Sequence, residues 1–467
     1  LSETPYDIAV IGAGSAGLTV AAAAATFGQS VVLIERGKMG GDCLNYGCVP
    51  SKALIAAARH AHAARAGAGL GVHAAPSVDY GAVHRHVHDV IDGIAPHDSV
   101  ERFEGLGVTV IQASARFTGP DVLEAGGRTI RARRFVVATG SSPVVPPIEG
   151  LAECDPLTNE TLFDLTALPA RLAIIGGGPI GCEMAQAIHR LGAAVTVVEG
   201  ATILSKEDPE AADVVRRAMT AEGVNLIEGA TVARCTRSGD EKTLHLSDGR
   251  AVTAEAILVA VGRRPNLDLG LDAAGVAATA KGITVDRRMR TSNKRIYAIG
   301  DVTGGLQFTH VAGHQASLAV KSIVFRMPVT YDPALMPRCT YTSPELAQVG
   351  LTEAEARAAD PKAEAWVAPL SGNDRARADA ATEGFVKLVL SGRGKLLGAT
   401  VVAPTAGDIV ATYALALAAK VSPATIASFT PAYPTLSEAG KRAATLYFGK
   451  KLDKKWVRSL LAFLKRV

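Results

Sequence analysis

The sequence predicts an α/β chain that carries one strand–glycine turn–helix–strand unit twice, and two observations support this. An apolar run enters a glycine-spaced turn at Gly12 and again at Gly176. After each turn a second apolar run ends in an acid, Glu35 and Glu199, 23 residues beyond the first glycine in both cases. A third observation marks where chemistry would concentrate: Cys43 and Cys48 lie in a glycine-rich stretch just beyond the first unit.

The first unit starts with a buried strand over Tyr6 to Ile11, continues through Gly12-Ala13-Gly14-Ser15-Ala16-Gly17 into an alanine-rich helix, and ends with a strand over Ser30 to Glu35. Gly12 permits the tight turn, Gly14 lets a pyrophosphate approach the backbone, and Gly17 allows close helix packing. The helix N-terminus faces the phosphates, and Glu35 accepts hydrogen bonds from a ribose. A lone glycine motif is weak, but the whole unit at its proper spacing is specific. The second unit repeats it. Leu172 to Ile175 is a strand, Gly176-Gly177-Gly178-Pro179-Ile180-Gly181 opens a helix, and a strand from Ala194 ends in Glu199. The reading is two Rossmann-like dinucleotide sites. A carboxylate at Glu199 binds a free 2′-hydroxyl and repels a 2′-phosphate, and Val198, Gly200 and Ala201 offer no arginine, so NADH is favoured over NADPH.

The cysteines are five apart. On an ideal helix their Cα atoms would lie roughly 8–9 Å from each other, whereas a disulfide needs less than about 7 Å. A pair that joins therefore needs an irregular segment, which Gly47 supplies, and Pro50 is expected to start a regular helix after it. A thiolate near a helix N-terminus is stabilised there. Zinc would call for closer thiols and a second ligand pair, which do not follow. No metal site is expected.

Length allows about three domains. The 467 residues are 48% hydrophobic and 20% charged, typical of a soluble globular protein. A net charge of +4, partly gathered at the C-terminus, and 5% aromatics without aromatic–basic interleaving do not point to nucleic acid. Six cysteines in so long a chain suit a reducing compartment, where a disulfide is more often catalytic than structural. The chain enters a strand almost at once, so no signal peptide is read, and Val20–Ala25 is too short to span a bilayer. The expected location is cytoplasmic.

With the dithiol segment Gly40–Lys52 and the two nucleotide units, further motifs fall in order: Val137-Ala138-Thr139-Gly140-Ser141, Gly262-Arg263-Arg264-Pro265-Asn266, Tyr297-Ala298-Ile299-Gly300-Asp301-Val302 and Tyr341-Thr342-Ser343-Pro344-Glu345. Together they resemble the disulfide-reductase flavoproteins: dihydrolipoamide dehydrogenase, glutathione reductase and, closest in pattern, mercuric reductase. The resemblance implies FAD on the first unit, held by the Gly12–Gly17 loop, Glu35, Gly41, Lys52, Thr139, Gly140, Asp301, His310 and Ala312. It implies NAD on the second, held by Gly176, Gly178, Pro179, Ile180, Gly181, Glu199 and Gly262. It implies an FAD-binding domain in two parts, 1–148 and 265–330, around an NAD-binding domain at 149–264. An α+β dimerisation domain at 331–449 would follow, giving a homodimer with shared active sites. It implies that Lys52 and Glu183 pair beside the flavin, that Cys48 lies against the flavin, and that Cys43 exchanges with a thiol, disulfide or metal-ion substrate.

One position departs from the pattern. Dithiol-handling members carry histidine, Pro-Thr and then a glutamate near the C-terminus. Here Glu438 is in place, but Tyr433 stands where histidine would be. Tyrosine, with an ordinary pKa near 10, is a poor neutral-pH base. Mercuric reductases resemble the chain in having tyrosine near that position, yet no cysteine pair follows Cys339 here. Two other features are weaker. His84 and His88 share a helical face near His86, and such histidines are more often solvated than ligands. The segment 450–467 is basic and amphipathic; the favoured reading packs it on the protein's own surface, the sharper one docks it on anionic lipid. Besides a catalytic disulfide oxidoreductase, two functions stay open: an NADH dehydrogenase of the diaphorase or quinone type, and a redox-sensing flavoprotein at a membrane surface.

Overall fold

Strand β1, Tyr6–Ile11, shows how the first sheet is built. Alternate side chains of a strand point to opposite faces. Ile8 and Val10 enter one core cluster, with Val20 and Ala21 of helix α1 (Ser15–Thr26) and Ala316 and Ala319 of the helix Thr309–Ile323. Ala9 and Ile11 enter another, with Phe117, Leu123, Phe135 and Ile296. Both faces are covered, which is the condition under which a parallel sheet is stable.

The structure is a computed structural model and describes residues 5–452 and 455–465. It divides into two compact units: Leu1–Gly177, Ala187–Val198 and Ala230–Asp332 form one, and Gly178–Gln186, Glu199–Gly229 and Pro333–Val467 the other. In the first, β1 pairs in parallel with β2 (Val31–Glu35), which pairs with β3 (Thr109–Gln112). On its other side β1 pairs with β6 (Arg128–Val137). The start of β6 also closes an antiparallel ribbon with β4 (Ala115–Gly119) and β5 (Val122–Ala125), and Ile296–Ala298 joins its end in parallel. A short strand β7, Ser141–Pro143, pairs with Arg263–Pro265. The second nucleotide motif follows the same plan: β8 (Arg171–Ile175) lies between β9 (Ala194–Glu199) and Ala256–Val259, all parallel.

The second unit holds a five-stranded antiparallel sheet in the order Arg338–Thr340, Glu345–Gly350, Leu396–Ala403, Phe385–Leu390, Glu364–Pro369. Helices Ala406–Ala418 and Glu438–Leu452 contribute Ile409, Val410, Ala443 and Ala444 to its core. This is the expected α+β arrangement. On the Phe385–Leu390 strand, Lys387 is buried and its Nζ lies 2.9 Å from Asp208, 2.7 Å from Glu210 and 3.3 Å from Glu353. Three carboxylates hold a charge that would otherwise be costly to bury.

Of the C-terminal tail, Asp453, Lys454, Arg466 and Val467 lie outside the described residues, as do residues 1–4. Helix Lys455–Leu464 leaves Leu460, Leu461, Phe463 and Leu464 exposed, Phe463 by 62%. Among the described residues no helix is long and apolar enough to cross a membrane.

Candidate active site

The two glycine turns are built alike. Gly12 has φ +103°, and a Cβ there would lie 2.4 Å from the Ala138 carbonyl oxygen; Gly176 has φ +108°, and a Cβ would lie 2.5 Å from that of Ala260. Each turn thus presses against the strand beside it, and only glycine fits. A Cβ on Gly17 would lie 1.8 Å from the Gly12 carbonyl oxygen, so the helix is seated on the turn. By contrast, Gly14 meets nothing closer than 4.0 Å and Gly178 nothing within 4 Å. Backbone is thus open where a pyrophosphate would approach, and the chain fits a dinucleotide at each turn. Glu35 accepts hydrogen bonds from Ala13 N at 2.6 Å and Gly37 N at 2.7 Å, and Glu199 accepts one from Ala201 N at 2.9 Å. Both acids stand at strand ends, as the spacing predicts. Gly41 serves a close approach of its own: a Cβ there would lie 2.7 Å from Gly14 Cα.

The cysteines occupy the predicted irregular segment. Cys43 lies in the short helix α2, Gly41–Asn45, and Cys48 opens helix α3, Cys48–Ala66. Tyr46 and Gly47 break the helical path between them, with φ/ψ of −141°/0° and −125°/−111°. One expectation is corrected: α3 begins at Cys48 and not at Pro50. Proline is tolerated in the first turn, where no intrahelical partner awaits its missing N–H. Both residues are free thiols within hydrogen-bonding reach of each other. Cys48 is pulled down to about 6, first by the hydrogen bond from Cys43, then by Thr309 and the Lys52 charge, against burial and Asp42. Cys43 is pushed up, because the thiol that donates to a thiolate holds its proton, and burial adds to this. Thr309 Oγ1 lies 3.2 Å from Cys48 Sγ at the start of helix Thr309–Ile323. Lys52 Nζ donates to Ser51 Oγ at 3.4 Å.

Around the dithiol runs a polar network that joins distant motifs. Arg263 Nη2 lies 2.9 Å from Asp42 Oδ1 and donates to the Ser141 carbonyl at 2.8 Å, while its Nε donates to Ser141 Oγ at 2.8 Å. Ser141 Oγ in turn donates to Asp301 at 2.7 Å. Burial pushes the Asp301 carboxyl up, against the pull of Ser141 and Arg263. Thr139 Oγ1 donates to the Asn266 carbonyl at 2.9 Å, and Asn266 N to the Gly140 carbonyl at 3.0 Å. The Gly300 amide donates to Gln315 at 2.7 Å, which ties the Asp301 turn to the helix that carries Ala312; His310 stacks on Phe308. Dithiol, Thr139, Gly140, Asp301, His310 and Ala312 thus fall within one unit, as does Gly262. Sequence patterning assigns no role to Thr309, Asp42, Ser141 or Arg263. Their partners lie far along the chain.

The remaining site residues fall in the second unit. Glu183 is buried and accepts a hydrogen bond from Tyr341 N at 2.9 Å. Pro179, Ile180 and Gly181 open the helix Pro179–Leu191. Tyr433 is 71% exposed and donates to Asp374 Oδ2 at 3.2 Å; that carboxylate raises the phenol further. Glu438 accepts from Thr435 N at 3.2 Å. His84 and His88 have ring centroids 4.3 Å apart, but His88 Nε2 already lies 3.2 Å from the Phe163 carbonyl oxygen. Among the described residues no three potential ligands gather for a metal.

Comparison with known proteins agrees with this arrangement. Residues 6–316 match the pyridine nucleotide-disulphide oxidoreductase family, and residues 336–444 match its dimerisation domain. A mercuric reductase of Bacillus cereus is 36% identical over 457 residues, covering 96% of this chain and 72% of the relative. A dihydrolipoyl dehydrogenase of Bacillus subtilis is 33% identical over 471 residues, covering 96% and 99%. The crystal structure of LpdA from Mycobacterium tuberculosis superposes with a TM-score of 0.87 at 30% identity, covering 94% of this chain and 99% of that one. The chain belongs to the pyridine nucleotide-disulphide oxidoreductase family. It is an FAD-dependent, NAD(P)H-linked disulfide oxidoreductase, and its dimerisation domain supports a homodimer.

Proposed function

We propose that the enzyme uses NADH to reduce a Cys43–Cys48 disulfide, and that Cys43 passes the electron pair to a thiol-reactive substrate. The contact between the two thiols, with Cys48 opening a helix, carries this reading. Bound at the first glycine turn, FAD supplies the relay between hydride chemistry and sulfur chemistry. Adding an electron pair and one proton to the S–S bond leaves one thiol and one thiolate. The chain sorts them: the negative charge rests on Cys48, supported by the Cys43 thiol, Thr309 and Lys52, and the proton rests on Cys43.

Cys43 must shed that proton to act on substrate. Tyr433, raised by Asp374, is a proton donor at neutral pH and not a base. A soft metal ion displaces a thiol proton unaided, whereas oxidation of dihydrolipoamide needs a base to take one. By the family pattern, which sets the residue at position 433 to serve the dithiol, this favours a mercuric-reductase-like substrate over a dihydrolipoamide-dehydrogenase-like one. Glu199, with no arginine among its immediate neighbours, supports NADH over NADPH. By the family pattern Lys52 and Glu183 pair beside the flavin. The domain bounds follow the same pattern: 1–148 with 265–330, then 149–264, then 331–449. Anaerobic titration with NADH tests the core reading. A long-wavelength absorbance is expected to rise in the wild type and to be missing in Cys48→Ser. Steady-state rates with mercuric ion, lipoamide, glutathione disulfide and a quinone, each with NADH and NADPH, then rank the substrates. Quinone turnover that survives Cys43→Ser would instead favour the NADH dehydrogenase reading.

A second observation bears on where the enzyme works. The exposed Leu460, Leu461, Phe463 and Leu464 lie in a tail that also carries Lys450, Lys451, Lys455, Arg458 and Lys465. We infer that this helix docks on an anionic lipid surface, its leucines entering the interface and its cations meeting the headgroups. With six free cysteines, the facing compartment is inferred to be the cytoplasm. Co-sedimentation with phosphatidylglycerol vesicles should be lost when residues 450–467 are removed and should weaken with salt.

A further inference from the structure

The segment between the two cysteines is held by side chains from elsewhere in the same unit. Asn159 Nδ2 donates to Asp42 Oδ1 at 3.0 Å and to the Tyr46 carbonyl at 3.1 Å, so one amide group ties the first turn of α2 to the break that follows it. Arg263 closes the arrangement: Nη1 donates to Asn159 Oδ1 at 3.1 Å, and Nη2 lies 2.9 Å from Asp42 Oδ1. Arg263 is itself fixed by two hydrogen bonds to Ser141. The Asp42 carboxylate also folds over Gly47: a Cβ there would lie 2.9 Å from Asp42 Oδ2 and 3.0 Å from the Asp42 carbonyl oxygen. The Asp42 carbonyl accepts the Tyr46 amide at 2.8 Å. Asn159, Arg263 and the Tyr46 amide therefore all meet Asp42, the residue before Cys43.

We propose that Asp42, Asn159 and Arg263 form a clamp of positioning residues that holds Cys43 against Cys48 and fixes the charge beside the pair. The proposal rests on the dithiol reading above. It differs from a merely structural role because two of the three clamp residues, Asn159 and Asp42, act on the thiolate with opposite sign. Asn159 is neutral and acts through geometry: it keeps the Cys43 thiol within reach of Cys48, the largest support of the Cys48 thiolate. Asp42 is negative and acts through charge: it opposes that thiolate. Of the other charged groups, Lys52 of α3 supports the thiolate, Arg263 meets the Asp42 carboxylate, and Asp301 is joined to Arg263 through Ser141.

The test uses purified, flavin-loaded Asp42→Asn, Asn159→Ala and wild-type enzymes. Each is reduced anaerobically with NADH, and the pH dependence of the long-wavelength absorbance is recorded. Asp42→Asn keeps the shape and hydrogen-bonding of the clamp but removes its charge, so the midpoint should fall by about half a pH unit. Asn159→Ala keeps the charge but frees the turn, so the midpoint should rise by a similar amount and alkylation of Cys43 by iodoacetamide should change with it. Asn159→Ser serves if the alanine variant does not fold. Shifts of the same sign, or none, would overturn the clamp. Failure of the wild type itself to develop the absorbance would instead overturn the dithiol reading, so the two failures are distinct.

Discussion

The thiolate at Cys48 can be taken apart by one substitution. Cys43 is the largest cause of its lowered pKa, Thr309 and Lys52 add to it, and burial and Asp42 oppose it. In Cys43→Ala the donor is gone while the opposing effects stay, so Cys48 should titrate at least about one unit above its value near 6. Cys43→Ser restores a donor of similar reach and should return the midpoint most of the way. In both variants Cys48 is the lone thiol of the pair, so its alkylation rate by iodoacetamide, followed from pH 5 to 9, reports its thiolate fraction. At pH 6 a one-unit rise cuts that fraction from about one half to about one tenth, a roughly fivefold slower reaction for alanine than for serine. Superimposed alanine and serine curves, or an alanine midpoint at or below 6, would refute the claim that one thiol supports the other. The buried Cys154, Cys182 and Cys235 must be shown by peptide mapping not to contribute.

Other expectations follow from the same geometry. Thr309→Val removes the 3.2 Å contact to Cys48 and should raise its midpoint by less than Cys43→Ala does, read by the same alkylation curve. Gly17→Ala forces a Cβ into the Gly12 carbonyl and should yield protein depleted of flavin by its visible spectrum; Gly176→Ala should stay yellow yet show a raised KM for NADH. Lys387→Met leaves the buried Asp208 carboxylate without its cation and should cost about 3 kcal/mol or more in denaturant unfolding, with the active-site spectrum unchanged until unfolding begins. Tyr433→His puts a group with an ordinary pKa near 6.5 at an exposed position and should raise dihydrolipoamide oxidation relative to wild type in a steady-state assay.

These predictions mark where the sequence was readable and where it was not. Both nucleotide motifs were legible because their rules are local. A glycine that must press on the neighbouring strand leaves its trace within a few residues of the strand and the acid it serves, and Gly12 with Glu35 and Gly176 with Glu199 repeat one solution. The dithiol was legible for the same reason: Gly47 announces a break, and the break is what brings two thiols five residues apart into contact. The start of α3 was misjudged because Pro50 fits the third helical position as well as the first, and nothing local chooses between them. The charges that meet around Asp42 and Lys387 were not legible. Asp42 reads as an ordinary polar residue beside a cysteine until Asn159, 117 residues away, and Arg263 are seen to meet on its carboxylate. The same holds for Lys387, whose carboxylates come from Asp208, Glu210 and Glu353. Local patterning thus encodes where the backbone must bend and where a cofactor fits, whereas the protonation state of a sulfur is set by side chains that only the finished fold assembles. A sequence can therefore point to two thiols that a backbone break brings together, while contacts such as Asp42 with Arg263 and Tyr433 with Asp374 come only with the folded chain.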